Sequence, residues 1–328
     1  MSNYTAVTIG DINGIGIEIL IKLWKKNKIK KIILFTDVNI INKFLKKRKI
    51  KLKINIINEN FKNFNYKKNN LNIFSYQTES NAENTYKSLK FAYKFCKKKI
   101  CIGVITLPIR KDIIKQKIDK NFIGHTEYFQ NIDNKKYSNM ILYHEKIIIS
   151  PLTTHIAVNN ISKIISNKKL LYNQIKNLTK TLKIDFNIKK PRLIISGLNP
   201  HAGENGNIGK EEIDFIAPVI KKLRKIKILI DGPKSPDSML INNNLKEYDC
   251  FIFMYHDQAL IPFKYISQFS GINYTGNLSI IRVSPDHGTA YNLVGSKKIS
   301  DLSLLNCYNL IKKIDKNKKI NDKNKKVS

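Results

Sequence analysis

Six histidines are spread through the 328-residue chain, and five of them occupy settings suited to chemistry. His125 lies in "GHTE", His155 in "LTTH", His201 in "NPHAGE", His256 in "YHDQ" and His287 in "DHGT". Each stands at the end of an expected strand or in a Gly-containing loop. Glu127, Glu204, Asp257 and Asp286 accompany them. Only His144, in "LYHEK", reads as an ordinary strand or surface residue. A single histidine is more often structural, but five in similar settings beside carboxylates point to a shared site. Three imidazoles suit a borderline divalent ion such as Zn²⁺, Co²⁺ or Mn²⁺. Three protein ligands also leave positions open for a substrate, the catalytic rather than the structural pattern. The candidate ligands are far apart in sequence, which excludes a zinc finger and any single-helix motif.

The anion-binding candidates are fewer. Arg110, Lys111, Lys264 and Arg282 follow expected strands or sit in loops near the histidines. Such side chains pair with phosphate or carboxylate through charge-assisted hydrogen bonds. Arginine is scarce here, which singles out Arg282 in "IIRVSPDHGTA". The stretch "GDINGIGIE" matches neither dinucleotide nor P-loop fingerprint. It reads equally as an anion cradle at a helix N-terminus or as a plain tight turn. The loop "GLNPHAGENGNIGKEE" sets His201 among glycines that permit tight turns and close approach to a ligand, and a helix is expected to begin near Lys210.

The elements that must position these residues alternate between strand and helix. "YTAVTIGD", "KIILFTD", "ICIGVITLPI", "KIIISPL", "PRLIISG", "KILIDG", "YDCFIFMYHD" and "LSIIRVS" read as strands. "IEILIKLWKKN", "ENTYKSLKFAYKFCKKK", "ISKIISNKKLLYNQIKNLTKTL" and "KEEIDFIAPVIKKLRK" carry the 3.6-residue period of amphipathic helices. The alternation implies α/β architecture with a largely parallel sheet. The polar residues of interest fall just after the C-terminal ends of strands, where open α/β sheets bind ligands. Residues 58–80 are polar and Asn-rich without a clear pattern, and the stretch from about Asp315 reads as a solvated or disordered tail.

Composition bounds the class. The length favours two domains, and 42% hydrophobic content fits a globular protein. No apolar run is long enough to span a bilayer. The N-terminus lacks a basic segment followed by an apolar one, so the cytoplasm is the expected location. Four cysteines, none in a CxxC pair, read as free buried thiols. The net charge of +34 could signal a basic nucleic-acid-binding protein, the alternative of another class. However, the lysines are scattered, and Lys, Asn and Ile are enriched together, as AT-rich codons would produce. No arginine-rich arm, zinc finger or aromatic RNA platform is present, so neither a specific nucleic-acid partner nor a membrane is expected.

Taken together, "TIGDINGIGIEI", "TLPIRK", "GHTEYF", "LTTHIAV", "GLNPHAGENGNIGKEEID", "GPKSPDSML", "MYHDQALIPFKY" and "IIRVSPDHGTAYNLVG" resemble, in order, the 4-hydroxythreonine-4-phosphate dehydrogenase family of the vitamin B6 pathway. The resemblance implies a fold like that of the isocitrate and isopropylmalate dehydrogenases, with two α/β/α domains around a cleft. The first would span residues 1–125 plus about 272–328, the second about 126–271 with the dimer contacts. It also implies a homodimer with the site at the interface, NAD or NADP as cofactor and a divalent metal (Zn, Co or Mg). The substrate would be a small phosphorylated molecule, and a functional link to the next pyridoxine-pathway enzyme would follow. The cofactor-holding residues are not identified. By motif, His155, His201 and His256 would ligate the metal, and His125, Thr126, Lys264, Asn273 and Arg282 would contact the substrate. Asp257 is a candidate for tuning the metal or moving a proton, with a buried ion-pairing role as the alternative. The implied reaction oxidises 4-phosphooxy-L-threonine; a sister activity on a phosphorylated four-carbon sugar acid such as threonate 4-phosphate is the alternative. Ile12 and Asn13 stand where the family usually has a Pro and an Ala.

Overall fold

Short runs of β-branched and aromatic residues, most of them buried on both faces, set the framework of two α/β units. A computed structural model describes residues 4–57, 65–296 and 298–327. Unit 1 comprises Met1–Phe129 and Ser279–Asp315; unit 2 comprises Gln130–Leu278 and Lys316–Ser328.

Unit 1 opens with β1 (Tyr4–Thr8), β2 (Ile32–Phe35), β3 (Ile54–Ile57), β4 (Leu71–Phe74) and β5 (Cys101–Thr106). They lie in the order β3-β4-β2-β1-β5, and every pairing is parallel. Parallel strands covered by crossover helices read as continuous apolar runs, as "IILF" and "CIGVIT" do. The core is rich in aromatic edges: Phe35 and Phe95 meet at 4.8 Å, and Phe74 and Phe95 at 4.7 Å between ring centroids. Residues 58–64 of the unreadable Asn-rich stretch lie outside the described residues, while its later part contains β4.

Unit 2 contains β6 (Asn139–His144), β7 (Ile147–Pro151), β8 (Arg192–Ser196), β9 (Leu229–Lys234), β10 (Cys250–Phe253) and β11 (Ile272–Gly276). Their order is β11-β6-β7-β10-β8-β9. Strands β7, β10, β8 and β9 run parallel, whereas β6 is antiparallel to both β7 and β11. The chain then returns to unit 1 with β12 (Arg282–Pro285), parallel to β5. Strand β11, which the sequence reading assigns to the first domain, therefore pairs within unit 2.

The residues from about Asp315 are not a loose tail. They continue the helix Leu302–Val327. Asn317 donates to the Asp185 carbonyl at 2.8 Å, Asn321 to the Ile184 carbonyl at 3.0 Å, and Lys318 pairs with Asp185 at 3.3 Å. These anchors sit among lysines, so polarity alone conceals a docked helix. All four cysteines are free and buried.

The turn after β1 is tight rather than an open cradle. Asp11 N–H donates to the Pro108 carbonyl, Asn13 N–H to the Asp11 side chain, Gly14 N–H to the Asp11 carbonyl and Ile15 N–H to the Thr289 carbonyl. These four amides are engaged within the protein. Gly10 has φ +65°, and a Cβ there would lie 2.7 Å from both Leu107 Cβ and the Pro108 oxygen. Gly10→Ala is therefore expected to destabilise the fold by roughly 2–4 kcal/mol through backbone strain and overpacking, read as a lower denaturation midpoint at unchanged m-value.

Candidate active site

Three of the histidines leave the same end of unit 2. His155 follows β7, His201 follows β8 and His256 follows β10. These three strands are neighbours in the order β7-β10-β8, and they run parallel. Their C-terminal ends are laced together. Leu152 N–H donates to the Phe253 carbonyl, and Thr153 gives the Met254 carbonyl both its N–H (3.1 Å) and its Oγ1 hydroxyl (2.8 Å). Gln258 accepts from Met254 N–H and from Ser196 Oγ, and donates to the Gly197 carbonyl. One side chain thus joins the ends of β8 and β10. The outcome is that the His155 and His256 rings stand 5.7 Å apart, centroid to centroid.

His256 is the first residue of the helix His256–Ser267 rather than the end of a strand. Its Nδ1 faces Asp257 Oδ1 at 3.1 Å, which leaves Nε2 available to a metal. A carboxylate on the second ring nitrogen is how ligating histidines are usually oriented. The alternative for Asp257, a buried ion pair, is overturned: its side chain is 69% exposed, because it occupies the outer side of the helix's first turn.

The loop bearing His201 is unusual. His201, Ala202, Gly203, Glu204 and Asn205 are all left-handed, with φ between +44° and +81°. Four of the five carry a Cβ, and each such residue costs roughly 1–2 kcal/mol in this region. His155 is also left-handed, at φ +52°. Strain of this kind persists only where surrounding structure over-determines it, and it concentrates at functional positions. His201 lies near enough to Asp237 to contribute to lowering that carboxyl, behind the hydrogen bond from Ser235.

The donor chemistry fits a borderline divalent ion. Two imidazoles converge, one held by a carboxylate, and a third leaves the adjacent strand. Among the described residues of this single chain, no three His, Cys, Asp or Glu side chains are gathered as a set, so His201 does not close on the other two within it.

A second polar group lies in unit 1. Arg282, on β12, is only 1% exposed; its Nε and Nη2 donate to Thr106 Oγ1, at the end of β5, at 3.0 and 2.7 Å. Burial pulls its pKa down to about 10, so it remains a cation at neutral pH. His125 and Thr126 open the helix His125–Ile132. The His125 Nε2 is shielded from solvent and has no hydrogen-bond partner. Glu127 and Lys111 crowd Gly124, whose Cβ would fall 3.0 Å from Glu127 Oε2 and 3.3 Å from Lys111 Nζ. Burial depresses the Lys111 ammonium, and Arg282 adds to this while Glu127 opposes it. Two cations and an unpaired imidazole nitrogen form a natural receptor for an anion.

The His125 imidazole is held well below its usual value, first by burial and then by the Arg282 and Lys111 charges. Unfolding restores a group titrating near 6.5. As pH falls below that value, the unfolded chain takes up a proton that the folded chain refuses, so stability present at neutral pH is lost. The melting temperature should therefore drop more steeply between pH 7 and 5 in the native protein than in His125→Gln.

Lys264 and Asn273 belong to unit 2. Lys264 is exposed on the helix that begins with His256, and Asn273 is half-buried in β11 with an unpartnered Oδ1. His287 turns its Nδ1 to the Gly288 carbonyl at 2.9 Å, and His144 ends β6 as an ordinary strand residue. Unit 1 also holds a cavity of about 520 Å³ lined by Asp11, Asn13, Ser80, Thr85, Arg110 and Tyr291, among others. It is within the usual size of small-ligand sites. The Tyr291 hydroxyl donates to Asp11, and Arg110 pairs with Asp112.

Sequence reasoning missed Thr106 and Gln258, which hold Arg282 and the strand ends. Only the position of Thr106 at a strand end hinted at either.

Residues 28–311 match the family model described as pyridoxal phosphate biosynthetic protein PdxA. The 4-hydroxythreonine-4-phosphate dehydrogenase of Sulfurihydrogenibium sp. is 35% identical over 91% of this chain and 94% of its own length. That of Wigglesworthia glossinidia brevipalpis is 35% identical over 91% and 92%. The crystal structure of the Klebsiella pneumoniae 4-hydroxythreonine-4-phosphate dehydrogenase is similar at TM-score 0.81 and 26% identity, covering 96% of this chain and 98% of that one. A family match across most of the length, with the histidine-bearing motifs inside it, leaves one conclusion: the chain belongs to the PdxA family of pyridoxal phosphate biosynthetic proteins.

Proposed function

We propose that the protein oxidises 4-phosphooxy-L-threonine at its secondary alcohol, using NAD or NADP and a divalent metal (Zn, Co or Mg). The product, 2-amino-3-oxo-4-phosphooxybutanoate, loses CO₂ to give 3-amino-2-oxopropyl phosphate on the way to pyridoxal phosphate. The observation that carries this reading is the placement of His155, His201 and His256 at the ends of three adjacent parallel strands. Its 35%-identical relatives, both 4-hydroxythreonine-4-phosphate dehydrogenases, support it.

Alcohol oxidation removes a proton from oxygen and a hydride from carbon. The nicotinamide supplies the hydride acceptor. A divalent ion held by His155, His201 and His256 supplies Lewis acidity toward the alcohol and the nascent ketone. The chain's own residues do the rest. Asp257 orients His256 through Nδ1. Arg282, His125 and Thr126 bind and orient an anionic end of the substrate from unit 1; Lys264 and Asn273 of unit 2 are substrate contacts by the family's motifs. Burial first, and then the Arg282 and Lys111 charges, favour the neutral form of His125, so its Nε2 meets an anion by hydrogen bonding rather than by charge. The cavity beside Asp11, Arg110 and Tyr291 is our candidate for holding part of the dinucleotide.

We read the active form as a cytoplasmic homodimer with the site at the interface. Support comes from the helix that carries His256 and Lys264. That helix exposes Ile261 and Tyr265, one turn apart, at 70% and 85%, and Phe269 just after it is 71% exposed. Among the described residues, no helix is long and apolar enough to cross a membrane.

The test is reduced-cofactor formation from 4-phosphooxy-L-threonine and from threonate 4-phosphate in parallel, with NAD and with NADP. Preference for the amino acid phosphate is expected. Turnover of the sugar acid alone would move the protein to the sister activity.

A further inference from the structure

Glu212 is 3% exposed, yet it is buried against a loop rather than in the apolar core. Its Oε1 accepts from the backbone N–H groups of Leu198 (2.7 Å) and Asn199 (2.9 Å), and its Oε2 from Asn199 Nδ2 (3.0 Å). Asn199 Nδ2 also donates to Glu211 at 2.8 Å, and Glu211 accepts from Ser162 Oγ. The loop is shaped around this carboxylate. A Cβ on Gly197 would lie 2.7 Å from Oε1, and one on Gly203 would lie 2.6 Å from Oε2. The carboxylate therefore fills the space between the start of the loop and its left-handed turn at His201–Asn205. The element that delivers it is itself irregular: Glu212–Ile216 form a π-helical turn. Such turns are rare and cluster at functional sites, and here neighbouring carboxylates, Glu211 and Glu212, both reach Asn199.

We propose that Glu212 is a positioning residue for His201. By accepting the two amides that precede the turn, it fixes the left-handed backbone and hence the direction in which the His201 imidazole leaves it. This rests on the reading of His201 as a metal ligand. The carboxylate matters as an acceptor. A glutamine of the same size keeps one neutral oxygen for the two backbone amides, which weakens these charge-assisted bonds, and turns its NH₂ group on Asn199 Nδ2, which breaks the third.

Glu212→Gln, His201→Ala and the native protein are compared in two measurements, with thermal melting to confirm folding. In the metal-free protein, amide hydrogen exchange at Leu198 and Asn199 is expected to quicken in Glu212→Gln. In a Co²⁺ titration followed by visible absorption, Glu212→Gln is expected to bind on the order of tenfold more weakly with an altered spectrum, as seen when supports of metal ligands are removed. In steady state, kcat should fall with KM for the phosphorylated substrate little changed. Native exchange and native Co²⁺ binding in a folded Glu212→Gln, with His201→Ala weakened, would overturn the positioning role and leave the ligand assignment standing. Native Co²⁺ binding by His201→Ala would instead remove the ligand reading, and the proposal with it. Should Glu212→Gln fail to fold, Glu212→Asp, which keeps the charge but withdraws it from the Leu198 and Asn199 amides, carries the same comparison with the same outcomes.

Discussion

Replacing His155 or His256 with alanine is expected to abolish metal binding and lower kcat about a thousandfold or more, while the protein remains folded. The two halves of this expectation have separate causes. His155 is exposed and the His256 side chain is 33% exposed, so neither ring fills core volume. Surface substitutions of this kind usually change stability by only about 0.5 kcal/mol. Catalytically, a divalent ion contributes several kcal/mol of charge stabilisation to alcohol oxidation, and each 1.36 kcal/mol is worth about tenfold in rate. Asp257→Asn should do less, on the order of tenfold in metal affinity, because it disturbs only the orientation of His256. Metal content by elemental analysis, read beside kcat, checks both. A His256→Ala protein that retains stoichiometric metal and full turnover would remove the pair from the site.

Arg282→Met should separate function from stability in the opposite sense. The guanidinium is buried and its pKa is pulled down to about 10, so the fold disfavours the charge it houses. Methionine approximates its length without the charge. Loss of the hydrogen bonds to Thr106 is offset by relief of a desolvated cation near Lys111, so the melting temperature should hold or rise. Functionally, a lost charged donor to an anionic substrate is worth roughly 1.5–3 kcal/mol, or about 10- to 150-fold in kcat/KM. Strained or desolvated polar groups kept at the expense of stability are a mark of active sites. The same substitution removes one of the charges that depress His125, so the His125 titration, followed by NMR, should move upward.

Much of this arrangement was legible from residue type. Strands such as "CIGVIT" and "IILF" announce parallel, doubly covered positions, and the histidines follow strand ends as the chain alternation implies. The site's supports were less visible. Gln258 joins two strand ends only because β8 and β10 are neighbours, a long-range fact that no local pattern encodes. The left-handed turn at His201–Asn205 is built mostly from residues with a Cβ, so propensity argues against it, and the Glu212 carboxylate that accompanies it lies beyond the loop. The helix through Asn317 and Asn321 was hidden by its lysines: amides that cap the carbonyls of Ile184 and Asp185 look, in sequence, like solvent-facing polarity. For Asp257 the sequence left two roles open, since adjacency to His256 does not tell which side of a helix it occupies.

The most direct measurement is NADH formation from 4-phosphooxy-L-threonine by the purified protein, with and without a chelator, followed by addition of Zn²⁺, Co²⁺ or Mg²⁺. Turnover that stops with the chelator and returns with metal is the predicted result. Turnover of the native protein that ignores complete metal removal would contradict the assignment of His155, His201 and His256 as the residues on which the chemistry depends.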